Sequence, residues 1–136
     1  MIIEINDDRT LEEINEKFHD FFPFLKIEFF PGPHHWYESS PGEKKLKPGL
    51  RIGEIRKKHE QGTLTIYSRM RTGDVEQAFH RKYDLNIQIF RLHGGEWVQS
   101  AGTDKLTLKE QNELGQRTSA QAGHVADSKT ERKNLF

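Results

Sequence analysis

Two stretches of this chain carry the same order of apolar residues, and that repetition limits the fold more than any other feature. Setting Phe18 against Phe79 aligns Ile3 and Ile5 with Leu64 and Ile66, Ile14 with Val75, Phe18-His19 with Phe79-His80, and Phe22 with Tyr83. After a one-residue shift near Pro23, Leu25-Lys26-Ile27 matches Leu85-Asn86-Ile87. Trp36 and Ser39 then match Trp97 and Ser100, and after a second gap Leu50 and Ile52 match Leu106 and Leu108. The chain has two tryptophans, and they fall at corresponding places. Matched apolar spacing over this length indicates a duplicated structural unit.

Each unit reads as strand, helix, strand, strand and short helix. Residues 2–6 alternate apolar and polar, the period of a half-buried strand. Thr10-Leu11-Glu12-Glu13 has the form of a capping box, and Leu11, Ile14, Phe18 and Phe22 then follow at helical spacing. Pro23 ends that helix, Leu25, Ile27 and Phe29 alternate again, and Pro31-Gly32-Pro33 breaks the strand before a short third one at Trp36-Tyr37-Glu38. Ile52 and Ile55 mark a brief second helix running into Arg56-Lys57-Lys58-His59. The second unit repeats the order. It has a strand over 63–68, a helix over 72–83, a strand over 85–91, a turn at His93-Gly94-Gly95 and a strand over 96–99. Its last helix opens at the capping box Thr107-Leu108-Lys109-Glu110 and ends at Gly115.

These patterns predict an α+β protein of two tandem β-α-β-β-α repeats, 1–61 and 62–115, packed as one pseudo-twofold body. A tail over 116–136, poor in large apolar residues, is expected to be disordered. One unit alone offers too little apolar surface for stability, so the two are expected to share a core. A strand–helix–strand step ordinarily places its two strands in one sheet, and that arrangement is expected within each unit.

Composition narrows the function. Basic and acidic residues number 21 each, a balance that does not suggest a dedicated nucleic-acid binder. The absence of cysteine excludes disulfides, thiol catalysis and cysteine-based zinc sites. The first residues, Met1-Ile2-Ile3-Glu4-Ile5, lack the basic and apolar regions of a secretory signal, and no apolar stretch is long enough for a membrane helix. A cytoplasmic protein with no membrane association is the expectation.

The run Phe22-Pro23-Phe24-Leu25-Lys26-Ile27-Glu28-Phe29-Phe30 and the run Asn86-Ile87-Gln88-Ile89-Phe90-Arg91 resemble small uncharacterised bacterial proteins with the same order of segments. So do Gly95-Glu96-Trp97 and Thr103-Asp104 with Leu106-Thr107-Leu108. The resemblance covers residues 1–115 and implies the ordered core without implying an activity or any functional residue.

Candidate site residues gather at the hairpin tips and in one basic region. His34, His35 and His93 sit at the two tips, yet adjacent histidines share a metal poorly, and no metal or cofactor is expected. His19 and His80 hold one repeat position beside a buried helix face, where a histidine usually bonds locally. A buried pocket placing either beside a carboxylate would favour catalysis. Lys44, Lys45, Lys47, Arg51, Arg56, Lys57 and Lys58 crowd the region 44–58, which with exposed aromatics could meet a single-stranded nucleic acid. Trp36, Tyr37 and Trp97 suit either sheet packing or a partner surface. No catalytic constellation emerges. The sequence is therefore read as a non-catalytic binding or adaptor module for a protein partner, through Trp36, Tyr37, Trp97, His34, His35, His93, Lys44, Lys45 and Lys47. An exposed sheet edge offers the further possibility of accepting a partner's strand. A nucleic-acid-binding protein and an enzyme of unknown class are the alternatives.

Overall fold

The computed structural model describes residues 1–32, 45–100 and 102–126. The chain runs β1 (Ile2–Ile5), α1 (Leu11–Phe21), β2 (Leu25–Phe30), a 3-10 turn (Ile52–Glu54), β3 (Gly62–Thr65), α2 (Thr72–Tyr83), β4 (Asn86–His93), β5 (Glu96–Gln99) and α3 (Leu108–Ala126). It is an α+β protein with two antiparallel sheets, β1–β3 and β2–β4–β5.

The local signals act as read. Thr10 Oγ1 accepts the Glu13 amide at 3.1 Å while the Glu13 carboxylate accepts the Thr10 amide at 2.8 Å, closing the capping box that starts α1. Thr107 and Glu110 make the same two bonds at 3.1 and 2.8 Å at the head of α3. Gly94 and Gly95, at φ 59° and 91°, form a two-residue turn that sets His93 opposite Glu96 and joins β4 to β5. Asp84 ends α2 in the left-handed region at φ 56°, and its carboxylate accepts the amides of Lys57 and Lys58 at 3.0 and 3.1 Å.

The expectation that each strand–helix–strand step keeps its strands in one sheet is overturned. β1 pairs with β3 and β2 pairs with β4, so each early strand takes its partner from the later half. The outer edge of β2, where β1 would have lain, is occupied. Asn15 Oδ1 accepts the Ile27 amide at 2.7 Å, the His19 imidazole bonds the Leu25 carbonyl at 2.8 Å, and the Leu46 amide bonds the Phe29 carbonyl at 2.7 Å. With these three outward groups taken by α1 and a loop, the edge of β2 is interrupted for a parallel neighbour.

Two further corrections concern helices. The brief helix at Ile52 and Ile55 is a single 3-10 turn, because Arg56 leaves the helical path to bond Asp7 and the Tyr83 carbonyl. The last helix does not stop at Gly115 but continues to Ala126, so the tail is helical over its first residues, while 127–136 lie outside the described residues. Gly115 serves close approach. A Cβ there would sit 2.8 Å from Phe24 Cβ and 3.1 Å from the Leu92 carbonyl oxygen, so the missing side chain lets α3 lie against β4.

Several contacts recur in both halves. The Leu11 amide bonds the Leu50 carbonyl (2.9 Å) as Thr72 bonds Leu106 (3.0 Å), and Glu12 bonds Pro48 (2.9 Å) as Gly73 bonds Asp104 (3.0 Å). The Ile52 amide bonds the Arg9 carbonyl (2.8 Å) as Leu108 bonds Met70 (2.9 Å). One core collects the apolar faces. Ile3, Ile14, Phe18 and Ile27 pack in the same cluster as Leu64, Val75, Phe79 and Ile87. Full burial of a side chain such as Phe18 or Phe79 contributes about 1.5–3 kcal/mol, which a half-molecule with one open face would forgo.

Candidate functional site: the free edge of β1

The β1–β3 ribbon has two outer edges, and they differ. Met1 and Ile66 exchange two backbone hydrogen bonds of 2.8 Å, which fixes the alternation along the ladder. Ile3 and Ile5 bond across to Leu64 and Gly62, while the N–H and C=O groups of Ile2 and Glu4 point away from β3. On the β3 side, Thr63 faces outward in the same way, and its carbonyl accepts the Tyr83 hydroxyl at 2.7 Å. Gly62 makes room for that hydroxyl, since a Cβ there would lie 2.6 Å from it. On the β1 side, no described residue bonds the outward groups of Ile2 and Glu4. The side chains follow the period of two. Ile3 and Ile5 are fully buried, whereas Ile2 is 57% exposed and shares the outer face with Glu4, Thr63 and Thr65.

A second feature lies in the interior. Where β5 has turned away from β4, the Ile89 amide donates to Glu76 Oε2 at 2.8 Å and the Ile89 carbonyl accepts the Ser100 amide at 3.1 Å. Glu76 has no exposed surface, and its Oε1 has no hydrogen-bond partner among the described residues. Burial pushes its carboxyl up to about 8. The Ile89 amide opposes that shift and the charge of Asp104 adds to it. Nearby, Arg91 donates to Gln111 at 2.8 Å, and Gln111 donates to the Thr103 carbonyl at 2.7 Å, tying α3 to β4 and the following loop. Glu76, Asp104 and Gln111 are all buried.

A cleft of about 640 Å³ runs between the 46–57 segment and the end of α2, within the size range of small-molecule sites. Leu50 and Ile55 wall one side, and His80, Asp84 and Asn86 the other. His80 therefore lines an open cleft beside a carboxylate rather than a buried pocket. Burial raises the Asp84 carboxyl, but the Lys58 and Lys57 amides outweigh it and, with the charges of His80 and Lys58, hold the group below its ordinary value. At the base, Arg56, its side chain without exposed surface, donates to Asp7 at 2.9 and 3.2 Å and to the Tyr83 carbonyl at 3.0 Å. That arginine is a buried tie between β1's end, the 3-10 turn and α2.

The residues singled out from sequence are scattered. Trp97 is half-buried on β5, with Lys26 Nζ 4.9 Å from its ring centroid and the His19 ring at 6.0 Å, so its face is already in use. His93 is exposed at the β4–β5 turn. Lys45 pairs with Glu28 at 3.2 Å, and Lys47 is exposed. Within 44–58, Arg51 bonds the Asp8 carbonyl while staying exposed, and Arg56 is buried against Asp7, which removes one of the region's cations from an open surface. His34, His35, Trp36, Tyr37 and Lys44 lie outside the described residues. Among the described residues no three His, Asp or Glu side chains are grouped to hold a metal ion, and no helix is long and apolar enough to cross a membrane. Ile2, Glu4 and Glu76 were missed as individuals. Alternation marked β1 as half-buried, but which of its edges stays free depends on strand order, which pattern alone does not give.

No protein-family model, curated protein or solved structure matches this chain.

Proposed function

We propose that the chain is a non-catalytic binding module that takes an extended segment of a protein partner as an added strand on β1. The observation that carries this reading is the outward N–H and C=O groups of Ile2 and Glu4, left without partners among the described residues beside an exposed apolar side chain. Such groups form a ladder that an extended peptide completes, with backbone bonds giving affinity and alternate side chains giving selectivity.

We further read the body as two diverged copies of one unit about an approximate twofold axis. The recurring contacts of Leu11 and Thr72, Glu12 and Gly73, and Ile52 and Leu108 support it. On that reading Phe22 stands where Tyr83 stands in the second copy, and Ile2 where Thr63 stands. Phenylalanine has no hydroxyl, so the cap that closes β3 is missing from β1. A catalytic reading draws support from His80 beside Asp84 in the cleft. Among the described residues that line the cleft there is no hydroxyl or thiol side chain to pair with His80.

The test uses proline. Glu4→Pro removes an N–H that points away from β3 and leaves every β1–β3 bond intact, a substitution that edge strands tolerate. A random heptapeptide display selection is run against the wild-type chain and the Glu4→Pro chain, each shown to be folded by circular dichroism. Enrichment on the wild type that is lost on Glu4→Pro supports the reading. Identical pools from both chains, or no enrichment on either, overturns it.

A further inference from the structure

Resting on the strand-addition reading, the geometry points to a partner strand of defined chemistry: a basic residue opposite Glu4, then an apolar residue, then a β-branched or aromatic residue opposite Ile2. The argument starts from the ladder. Because Ile2 and Glu4 hold the outward backbone groups, they are the residues that would form hydrogen-bonded pairs with a new strand. Residues in such a pair carry their side chains on the same face of the sheet. The partner's two paired residues therefore stand on the outer face beside Ile2 and Glu4, which is solvent-facing. The residue between them points to the other face, alongside the fully buried Ile3, and must be apolar to extend that core.

Direction follows next. β1 already pairs antiparallel with β3, and an antiparallel addition keeps that twist and the stronger bond geometry. In an antiparallel strand the residue opposite Glu4 precedes the residue opposite Ile2, so the order from N- to C-terminus is basic, apolar, β-branched or aromatic.

Charge sets the first position. Glu4 is exposed, and its outer-face neighbour on β3 is Thr63, directly opposite in the register, so β3 supplies it no cation. A second copy of this chain does not fit. Pairing β1 with another β1 sets Glu4 against Ile2 or against another Glu4, and neither supplies a cation. Glu4 therefore guards the edge against self-association while admitting a basic strand.

Two acetylated, fluorescein-labelled heptapeptides test this, Thr-Thr-Lys-Val-Val-Thr-Thr and its order-reversed form Thr-Thr-Val-Val-Lys-Thr-Thr, together with the first peptide carrying Glu in place of Lys. Fluorescence anisotropy is measured on the wild-type and Glu4→Lys chains at low salt. The wild type is expected to bind the Lys-first peptide about three- to tenfold more tightly than the Glu peptide, and more tightly than the reversed one. The Lys-over-Glu preference is expected to invert on Glu4→Lys. Equal affinities for all three peptides on both chains, with binding still lost on Glu4→Pro, would overturn this inference while leaving strand addition in place. Binding that persists on Glu4→Pro would overturn both.

Discussion

Replacing Glu76 by glutamine tests whether the interior carries a carboxyl held neutral by burial. Glu76 has no exposed surface, and one of its oxygens accepts the Ile89 amide at 2.8 Å. Burial raises its pKa from the ordinary 4.5 to about 8. On α1 a neutral group also accepts a strand amide, Asn15 Oδ1 from Ile27 at 2.7 Å. The sign follows from proton counts. Between the unfolded value and about 8 the native state binds the proton that the unfolded chain releases, so the free energy of unfolding falls as pH rises. The full advantage of the neutral acid is present below about pH 4.5 and is lost by about pH 8. Across pH 5 to 9 this separation corresponds to a loss of about 2–4 kcal/mol. Glutamine keeps the shape and the acceptor oxygen and cannot ionise. Urea denaturation of both chains at unit steps from pH 5 to pH 9 reads the difference, in which the other titrating groups largely cancel. The two are expected to be of similar stability at pH 5, with Glu76→Gln more stable by about 2–4 kcal/mol at pH 9. Parallel curves over the whole range would refute the argument, because they would mean that Glu76 has the same proton affinity folded and unfolded.

Two further outcomes follow from packing and ion pairing. Gly115→Ala, which in an open helix would stabilise by about 1 kcal/mol, is expected to destabilise by about 1–3 kcal/mol, since the new Cβ would lie 2.8 Å from Phe24 Cβ; thermal or urea unfolding gives the sign directly. Hydrogen bonding by Arg56, with a lesser contribution from His59, holds the Asp7 carboxyl below its ordinary 3.8 against some desolvation. Its contribution is therefore present above that value and lost as pH falls through the lower folded value. Asp7→Asn is expected to lower stability at neutral pH, with the gap from wild type closing in acid, as measured by unfolding at pH 7 and pH 2.

Element type was legible because it depends on neighbours a few residues away. The period of two in Ile3 and Ile5, the three- and four-residue steps through Ile14 and Phe18, and the Thr10–Glu13 and Thr107–Glu110 boxes each act locally. Sheet order was not legible, because it turned on side chains of α1. Asn15 and His19 take up the Ile27 amide and the Leu25 carbonyl on the edge of β2, and nothing in their spacing announces that. Gly115 misled for a related reason. Glycine past a helix and glycine at a helix–strand crossing look alike until the crossing partners, Phe24 and Leu92, are known. The candidate site was legible only as a type of feature, an exposed sheet edge. Its residues, Ile2 and Glu4, emerge from the β1–β3 register and from the Tyr83 hydroxyl that occupies the ribbon's other edge at Thr63.

Amide hydrogen exchange at Glu4, followed by NMR, tests the free edge most directly. In the chain alone the Glu4 amide is expected to exchange close to the rate of an unstructured peptide while those of Ile3 and Ile5 are protected, and a saturating Lys-first heptapeptide should then slow Glu4. A Glu4 amide already protected in the chain alone, or one that stays fast with the peptide bound, would contradict the claim that β1 offers an edge for a partner's strand.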